Sequence, residues 1–484
     1  MWSPRADVRG RDEPAGLLRR GGRWALVLTL LAYIAPHGSP EALPFFAATA
    51  AMGLVAAIAT LSPARRGANR ALGGEVIVLI LVMAAYVAFQ AATFPGNPFA
   101  NEVWSRAASF LGATSRAVSV EPSSTQAALF ALLGPLFAFY AVLQLFDDER
   151  SALKLIKILA IMGGLLGLHG IAQMLFFPDG LFLRNLPGGN SLTGIFVNRN
   201  TAGTFLGLAS LASLGWLVGA VSANGRSMSG AAMAGIVQRN REAILAAALL
   251  MLCVLCLFLT RSRGAMLAWF AAFSLVAVLI AVNASVFWPR LARGGNRRLR
   301  PLLLAGGALA AVVLIVEFLG GQTAARLGQH GMDIARLCVY GATLRGFEDN
   351  WLFGTGFGTF ASAFPQYQTE DCANIDMTFF KAHNSYLEAL LGLGIVFVPL
   401  LVYCYSRLGV VLYRGYRERE RLRHVPIIGI GGIVLVTLHS LTDFSLQIPG
   451  MAMYFACFLG ATVSVALRRR STRAAALRPG LAAG

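Results

Sequence analysis

Residues 243–287 read AILAAALLMLCVLCLFLTRSRGAMLAWFAAFSLVAVLIAVNASVF. Two apolar runs, 243–260 and 264–287, meet at Thr260-Arg261-Ser262-Arg263-Gly264. A bilayer's hydrocarbon core takes about 20 apolar residues per helix, so each run reads as one crossing and the pair as a membrane hairpin with two arginines at its tip. Outward from this hairpin the same apolar window recurs, near 24–38, 43–61, 72–94, 126–146, 153–177, 201–221, 302–320, 384–405, 425–443 and 449–467. The run from Trp24 is short for a span and fits a tilted or partly re-entrant helix. The expected fold is an all-α polytopic membrane protein of about twelve transmembrane helices, with both termini cytoplasmic and a large periplasmic loop before the tenth helix.

Charge sets the orientation. Short loops rich in Lys and Arg stay in the cytoplasm. With the N-terminus inside, the inner segments hold 31 of the 41 Lys and Arg. Removing any one helix would move the cluster Arg414, Arg417, Arg419, Arg421 and Arg423 to the other side. The net charge of +18 is therefore mainly a topology signal, and the basic loops are expected against anionic lipid headgroups. No basic patch with interleaved aromatics suggests a nucleic-acid partner. Residues 1–23 are basic and polar, with no small-residue cleavage site after the first apolar run; they are read as a cytoplasmic N-terminus. Residues 24–467 are one helical domain, and 468–484 a cytoplasmic tail.

Two outward connections are long. Residues 95–125 carry Trp104 and Phe110, which suits an amphipathic segment on the interface. Residues 321–382 are too long for a bare connector and are read as an ordered subdomain. Leu337, Tyr340, Leu344 and Phe347 have helical spacing, and Gly354-Thr355-Gly356-Phe357-Gly358 marks a tight turn, which would serve as a turn alone or also line a substrate cleft. It has neither the Lys-Ser/Thr of a P-loop nor the strand and helix of a dinucleotide fold. Cys338 and Cys372 share the outer loop, and a disulfide between them would suit an oxidising compartment. Cys253-x-x-Cys256 lies in an apolar helix without a second pair, against a metal or redox role.

Arg261 and Arg263 are expected at membrane level on the outer face. Arginine is costly there without a partner, and its guanidinium fork matches phosphate oxygens. The alternative is a helix end capped by snorkelling arginines. Arg336 would add a phosphate contact or sit on a solvated helix face. His383 stands where the large loop re-enters the membrane, beside Asn384. Histidine changes charge near neutral pH and accepts a proton from a hydroxyl nucleophile; otherwise it is a polar residue ahead of a cap. Ser385 with Glu388 reads as a capping box for the next helix. Asn198, Arg199 and Asn200 would touch sugar hydroxyls or cap a helix. His439 and Asp443, one turn apart, would bond each other and hold a helix in register. The acids Glu370, Asp371 and Asp376 lack His partners at ligand spacing, so neither a metal nor another cofactor is expected.

Four stretches in order are similar to the O-antigen ligase and polymerase superfamily of bacterial envelope proteins. They are Phe196-Val197-Asn198-Arg199-Asn200-Thr201-Ala202-Gly203, Leu259 through Ala265, Arg336 leading to Gly354-Thr355-Gly356-Phe357-Gly358-Thr359-Phe360, and Ala382-His383-Asn384-Ser385-Tyr386-Leu387-Glu388. His439 through Pro449 is a weaker fifth, and the likeness covers about 150–465. The resemblance implies a metal-independent glycosyltransferase of the bacterial inner membrane with its site facing the periplasm. The donor would be a glycan on undecaprenyl pyrophosphate. The acceptor would be lipid A–core for a ligase, or a second lipid-linked glycan for a polymerase of O-antigen or exopolysaccharide. By likeness His383 matches the histidine that activates the acceptor hydroxyl, and Arg261, Arg263 and Arg336 match the arginines that hold the pyrophosphate. Asn198, Arg199, Asn200, Asn384 and His439 would contact the glycan or support the site. Phe397 stands where a smaller residue or tyrosine is common, which leaves ligase and polymerase both open. A transporter of lipid-linked glycans is the reading from another class; a midplane nearly free of charge, with the unusual arginines at the outer rim, argues against it.

Overall fold

A computed structural model describes residues 14–36, 42–112, 114–177, 191–226, 233–288, 331–369 and 379–467. The main helices are α1 (Pro14–Ile34), α2 (Ala42–Leu61), α3 (Gly67–Ala91), α4 (Val103–Leu111), α5 (Pro122–Leu145), α6 (Glu149–Phe176), α7 (Arg199–Arg226), α8 (Met233–Leu259) and α9 (Arg263–Val282). They continue as α10 (Gly331–Asp349), α11 (Ser385–Leu393), α12 (Phe397–Glu418), α13 (His424–His439) and α14 (Pro449–Ala466). Each expected apolar run is helical except 302–320, which lies outside the described residues, as do the two ends of the chain. Among the described residues, nine helical segments are long and apolar enough to cross a membrane. The 16-residue α13 is apolar but shorter. The only strands among the described residues are a two-residue pair, Phe94–Pro95 against Ser115–Arg116.

α7 and α14 form the centre of the bundle, with most of their surface buried. α14 packs on α5, α6, α12 and α13, and α7 on α6, α8 and α13. Lipid tails are as apolar as leucine, so association here depends on close fit rather than on the hydrophobic effect. The face of α6 with Gly163, Gly164 and Gly167 supplies that fit. A methyl group on Gly163 would sit 2.1 Å from the Ala209 side chain of α7.

Acid–base pairs tie the helices together at the basic end of the bundle. Arg19 of α1 pairs with Asp147 and donates to the Gln144 carbonyl at 2.9 Å. Arg23 pairs with Asp148 at 2.7 Å. Arg419, at the end of α12, pairs with Glu149 at the start of α6 and donates to the Val465 carbonyl. The starts of α1 and α6 and the ends of α5, α12 and α14 therefore share one end of the bundle.

The expected helix 384–405 is broken. α11 stops at Leu393, a 3-10 turn covers Gly394–Val396, and α12 then runs on to Glu418. Gly394 has φ +63, and a Cβ there would lie 2.6 Å from the Gly354 backbone nitrogen. The outer end of α3 satisfies the carbonyls freed by the break. Gln90 Nε2 donates to Gly392 at 2.8 Å and to Phe353 at 2.7 Å, and the Tyr86 hydroxyl donates to Leu393 at 2.8 Å. The extension to Glu418 also relocates Arg407. Expected in a cytoplasmic loop, it lies midway along α12 and pairs with Glu75 of α3.

α4 presents Phe110 outward, 86% exposed, while Trp104 Nε1 donates to the Ser119 carbonyl at 2.9 Å. Within the outer loop, α10 covers the helical spacing around Tyr340. The glycine turn is a tight junction: Gly354, Gly356 and Gly358 all have positive φ. The Thr355 nitrogen bonds the Leu391 carbonyl at 2.8 Å, and Thr355 accepts from Val120 at 2.9 Å.

Candidate active site

The end of the bundle opposite the arginine–acid pairs brings together α7, the α8–α9 turn, α10, the start of α11 and the loop after α13. Asn198 caps α7, its side chain accepting from the Asn200 nitrogen at 2.8 Å. This is the capping alternative of the sequence reading, and Arg199 beside it is exposed. Asn200 points into the site and bridges two segments. Its Oδ1 accepts from Ser262 Oγ at 2.7 Å, and its Nδ2 donates to Asp443 Oδ1 at 2.9 Å.

The turn between α8 and α9 is held by its own polar atoms. Thr260 Oγ1 donates to the Leu257 carbonyl at 2.6 Å and accepts from the Ser262 nitrogen at 3.2 Å. Ser262 is the N-cap of α9. Arg261 is left with φ +53, a left-handed conformation uncommon for a residue with a side chain. Arg261 and Arg263 are exposed, and neither side chain makes a hydrogen bond or ion pair among the described residues. Arg336, on α10, is half-buried and close enough to act electrostatically on Tyr340 and His439. Gly264 closes the gap from the other side; a Cβ on it would lie 2.8 Å from Thr442 Oγ1 and 3.2 Å from the His439 ring.

His383 also has φ +53, and its surroundings hold that backbone. The Tyr340 hydroxyl donates to the His383 carbonyl at 3.0 Å. Glu388, 9% exposed, accepts from the Ala382 nitrogen at 3.0 Å and from Lys381 at 3.2 Å. The Ser385 nitrogen donates to the Ser440 carbonyl at 2.9 Å, and Ser385 Oγ to the Asp443 carbonyl at 3.0 Å. The expected Ser385–Glu388 capping box is corrected here. Asn384 is the N-cap, accepting from Tyr386 at 3.0 Å and Leu387 at 3.1 Å, because its amide oxygen reaches both free N–H groups. Ser385 is instead the first helical residue, and its hydroxyl ties α11 to the loop after α13.

The His383 ring packs edge-on against Phe444, with centroids 5.0 Å apart. Its Nδ1 faces Asp443 Oδ1 at 3.8 Å and has no hydrogen-bond partner among the described residues. Asp443 is fully buried. Burial alone would raise its pKa. The facing His383, the charge of His439, and donors from Ser445 and Asn200 outweigh burial and hold the carboxyl below the usual carboxylate range. The expected His439–Asp443 bond does not form: His439 Nδ1 shares a hydrogen bond of 2.6 Å with Thr204 Oγ1. His439 thus supports α7 while Asp443 turns to His383. The sequence reading missed this partnership; its available signal was a lone acid close to the outer end of an apolar helix.

Cys338 is disulfide-bonded, and Cys372, its expected partner, lies outside the described residues, as do Glu370, Asp371 and Asp376. Cys253 and Cys256 are free and buried. Among the described residues no group of three His, Cys, Asp or Glu is placed to hold a metal ion.

No curated protein matches the chain. A family model described as O-antigen ligase matches residues 246–402, a shorter span than the likeness read from the sequence. It takes in the α8–α9 turn, Arg336 and His383, and leaves Asn200 and Asp443 outside. Over residues 246–402 the chain is accordingly similar to the O-antigen ligase family.

Proposed function

We propose that the protein is a membrane glycosyltransferase that moves a glycan from undecaprenyl pyrophosphate to an acceptor hydroxyl at the periplasmic face of the bacterial inner membrane. The observation that carries this reading is the placement of two arginines, unpaired among the described residues, one bridging residue, Asn200, from a buried carboxylate that faces His383. A carboxylate at Nδ1 selects the tautomer with its proton there and leaves Nε2 as the acceptor. His383 Nε2 then takes the acceptor proton as the hydroxyl oxygen attacks the anomeric carbon. The bond from that carbon to the pyrophosphate oxygen breaks, and its electron pair leaves with the pyrophosphate. Arg261, Arg263 and Arg336 meet the growing negative charge, work that fixed cations do best in a site shielded from water. The displacement is a single step and inverts the anomeric centre. Lipid A–core is the acceptor of the ligase form, and a second lipid-linked glycan that of the polymerase form.

The test is the surface polysaccharide of a deletion strain complemented with wild type or His383→Ala, run beside lipid-linked intermediates. Complementation by wild type and none by His383→Ala is expected. Long lipid-linked chains that fail to reach lipid A indicate a ligase, and accumulated single repeats a polymerase. Full rescue by His383→Ala would overturn the reading in favour of transport.

A further inference from the structure

A cavity of about 430 Å³ lies between α3, α5, α12 and α14. Its outer mouth is formed by Lys381, Ser385, Glu388 and the Phe357–Gly358 turn. It extends along α5 from Ala128 to Phe139, about 16 Å at the rise of a helix. Leu132, Leu136, Val76, Phe455 and Leu459 make its walls apolar. Toward its inner end the lining includes Glu75, Arg407 and Tyr403. Arg407 grips the Glu75 carboxylate with Nε at 2.7 Å and Nη2 at 2.6 Å, and the Tyr403 hydroxyl donates to it at 3.0 Å.

Three features say what fits this chamber. The walls are hydrocarbon at membrane depth, the mouth has a cation and a hydroxyl each two residues from His383, and an ion pair lies toward the inner end. An amphiphile with its head at the mouth and its chain below satisfies all three. The volume is that of one chain segment, not of several acyl chains side by side. The lining residues include none from α7, α8, α9 or α10, which hold the arginines and their bridge to His383. The chamber and the pyrophosphate-binding arginines thus approach His383 on different helices.

We propose that this cavity binds the single hydrocarbon chain of the acceptor, so that the acceptor is a single-chain lipid-linked glycan rather than a multiply acylated lipid. This rests on the proposed function for the assignment of the arginines to the donor. The hydroxyl to be glycosylated hangs above the mouth, near Ser385 and His383, while the chain fills the space beside Leu132.

The test uses the full-length protein in nanodiscs with a polyprenyl phosphate that carries a photoreactive group in its chain, together with a transfer assay. In wild type and in His383→Ala the probe is expected to label α5 and α14 peptides that line the cavity. Leu132→Trp, which fills the chamber, should remove the label. It should also raise KM for a single-chain acceptor about tenfold, a loss of about 1.4 kcal/mol, with donor KM unchanged. Lipid A–core should be a poor acceptor for wild type. Labelling that survives Leu132→Trp, a Leu132→Trp effect on donor KM alone, or preferred transfer to lipid A–core would overturn the proposal. If Leu132→Trp does not fold, Ala128→Leu at the mouth takes its place with the same expectations. Labelling of the cavity without any transfer by wild type would instead overturn the proposed function and leave a lipid-chain site standing.

Discussion

His383 Nδ1 faces Asp443 Oδ1 at 3.8 Å, with no other partner for the ring nitrogen among the described residues and the carboxylate buried. The distance is beyond a hydrogen bond, yet catalytic contacts are often long in the free enzyme and tighten with substrate. Asp443 is held from three directions, by Asn200, Ser445 and its own carbonyl's bond from Ser385. Asp443→Asn is expected to lower kcat on the order of 10²-fold, at the lower end of what acid–base catalysis contributes, with donor KM nearly unchanged. Steady-state kinetics with a lipid-linked donor checks this, and an unchanged kcat would remove Asp443 from the mechanism.

The same carboxylate predicts a pH effect on stability. Its pKa is lowered in the folded protein, so its ionised form favours folding. That contribution is present above the pKa of an unfolded aspartate and disappears as pH falls through the lower, folded value. Wild type should therefore lose more thermal stability than Asp443→Asn as buffer pH falls from neutral into the acid range. Parallel Tm–pH curves for the two proteins would contradict this.

His383 invites a variant chosen for its backbone. Alanine at φ +53 adds strain, whereas asparagine visits that region more readily. His383→Asn should abolish transfer, as His383→Ala does, with a Tm closer to wild type than that of His383→Ala. Transfer by His383→Asn at more than a few per cent of the wild-type rate would exclude the histidine as the base.

Among the described residues the Arg263 side chain has no partner to lose. Arg263→Ala should leave Tm unchanged and raise donor KM roughly 10- to 100-fold, since hydrogen bonds to charged groups contribute about 1.5–3 kcal/mol. Acceptor KM should move far less. A fall in Tm without a change in donor KM would favour the snorkelling-cap alternative for this turn.

What was legible in the sequence was local. The hairpin 243–287 announces itself by length and hydropathy, the arginine turn by its position between two runs, and the helix of Tyr340 by spacing. What was hidden depends on residues far apart in the chain. The apolar run through Gly394 is continuous, so nothing in it shows that Gln90 and Tyr86 of α3 draw off its carbonyls and allow a break. The hydropathy window closes at Tyr405 because Arg407 follows, and the acid that admits this arginine into the helix is 332 positions away. Asp443 sits one helical turn after His439, which made a local pair the natural reading. The fold instead places Thr204 against His439 and turns the acid to His383.

That distant pair gives a further prediction. Glu75 and Arg407 meet within the membrane-spanning part of α3 and α12, where an unpaired charge is costly. Their side chains are 31% and 37% exposed toward the cavity, so the pair contributes less than the 3–5 kcal/mol of a fully buried one. Glu75→Gln should destabilise the protein by about 1–2 kcal/mol after that discount, and Arg407→Gln by a similar amount. The double variant Glu75→Gln/Arg407→Gln should recover most of the loss, because it leaves no charge stranded. Denaturation midpoints of the four proteins in one detergent measure the coupling. Strict additivity would show that α3 and α12 are held by packing alone, and that the floor of the cavity is not an ion pair in solution.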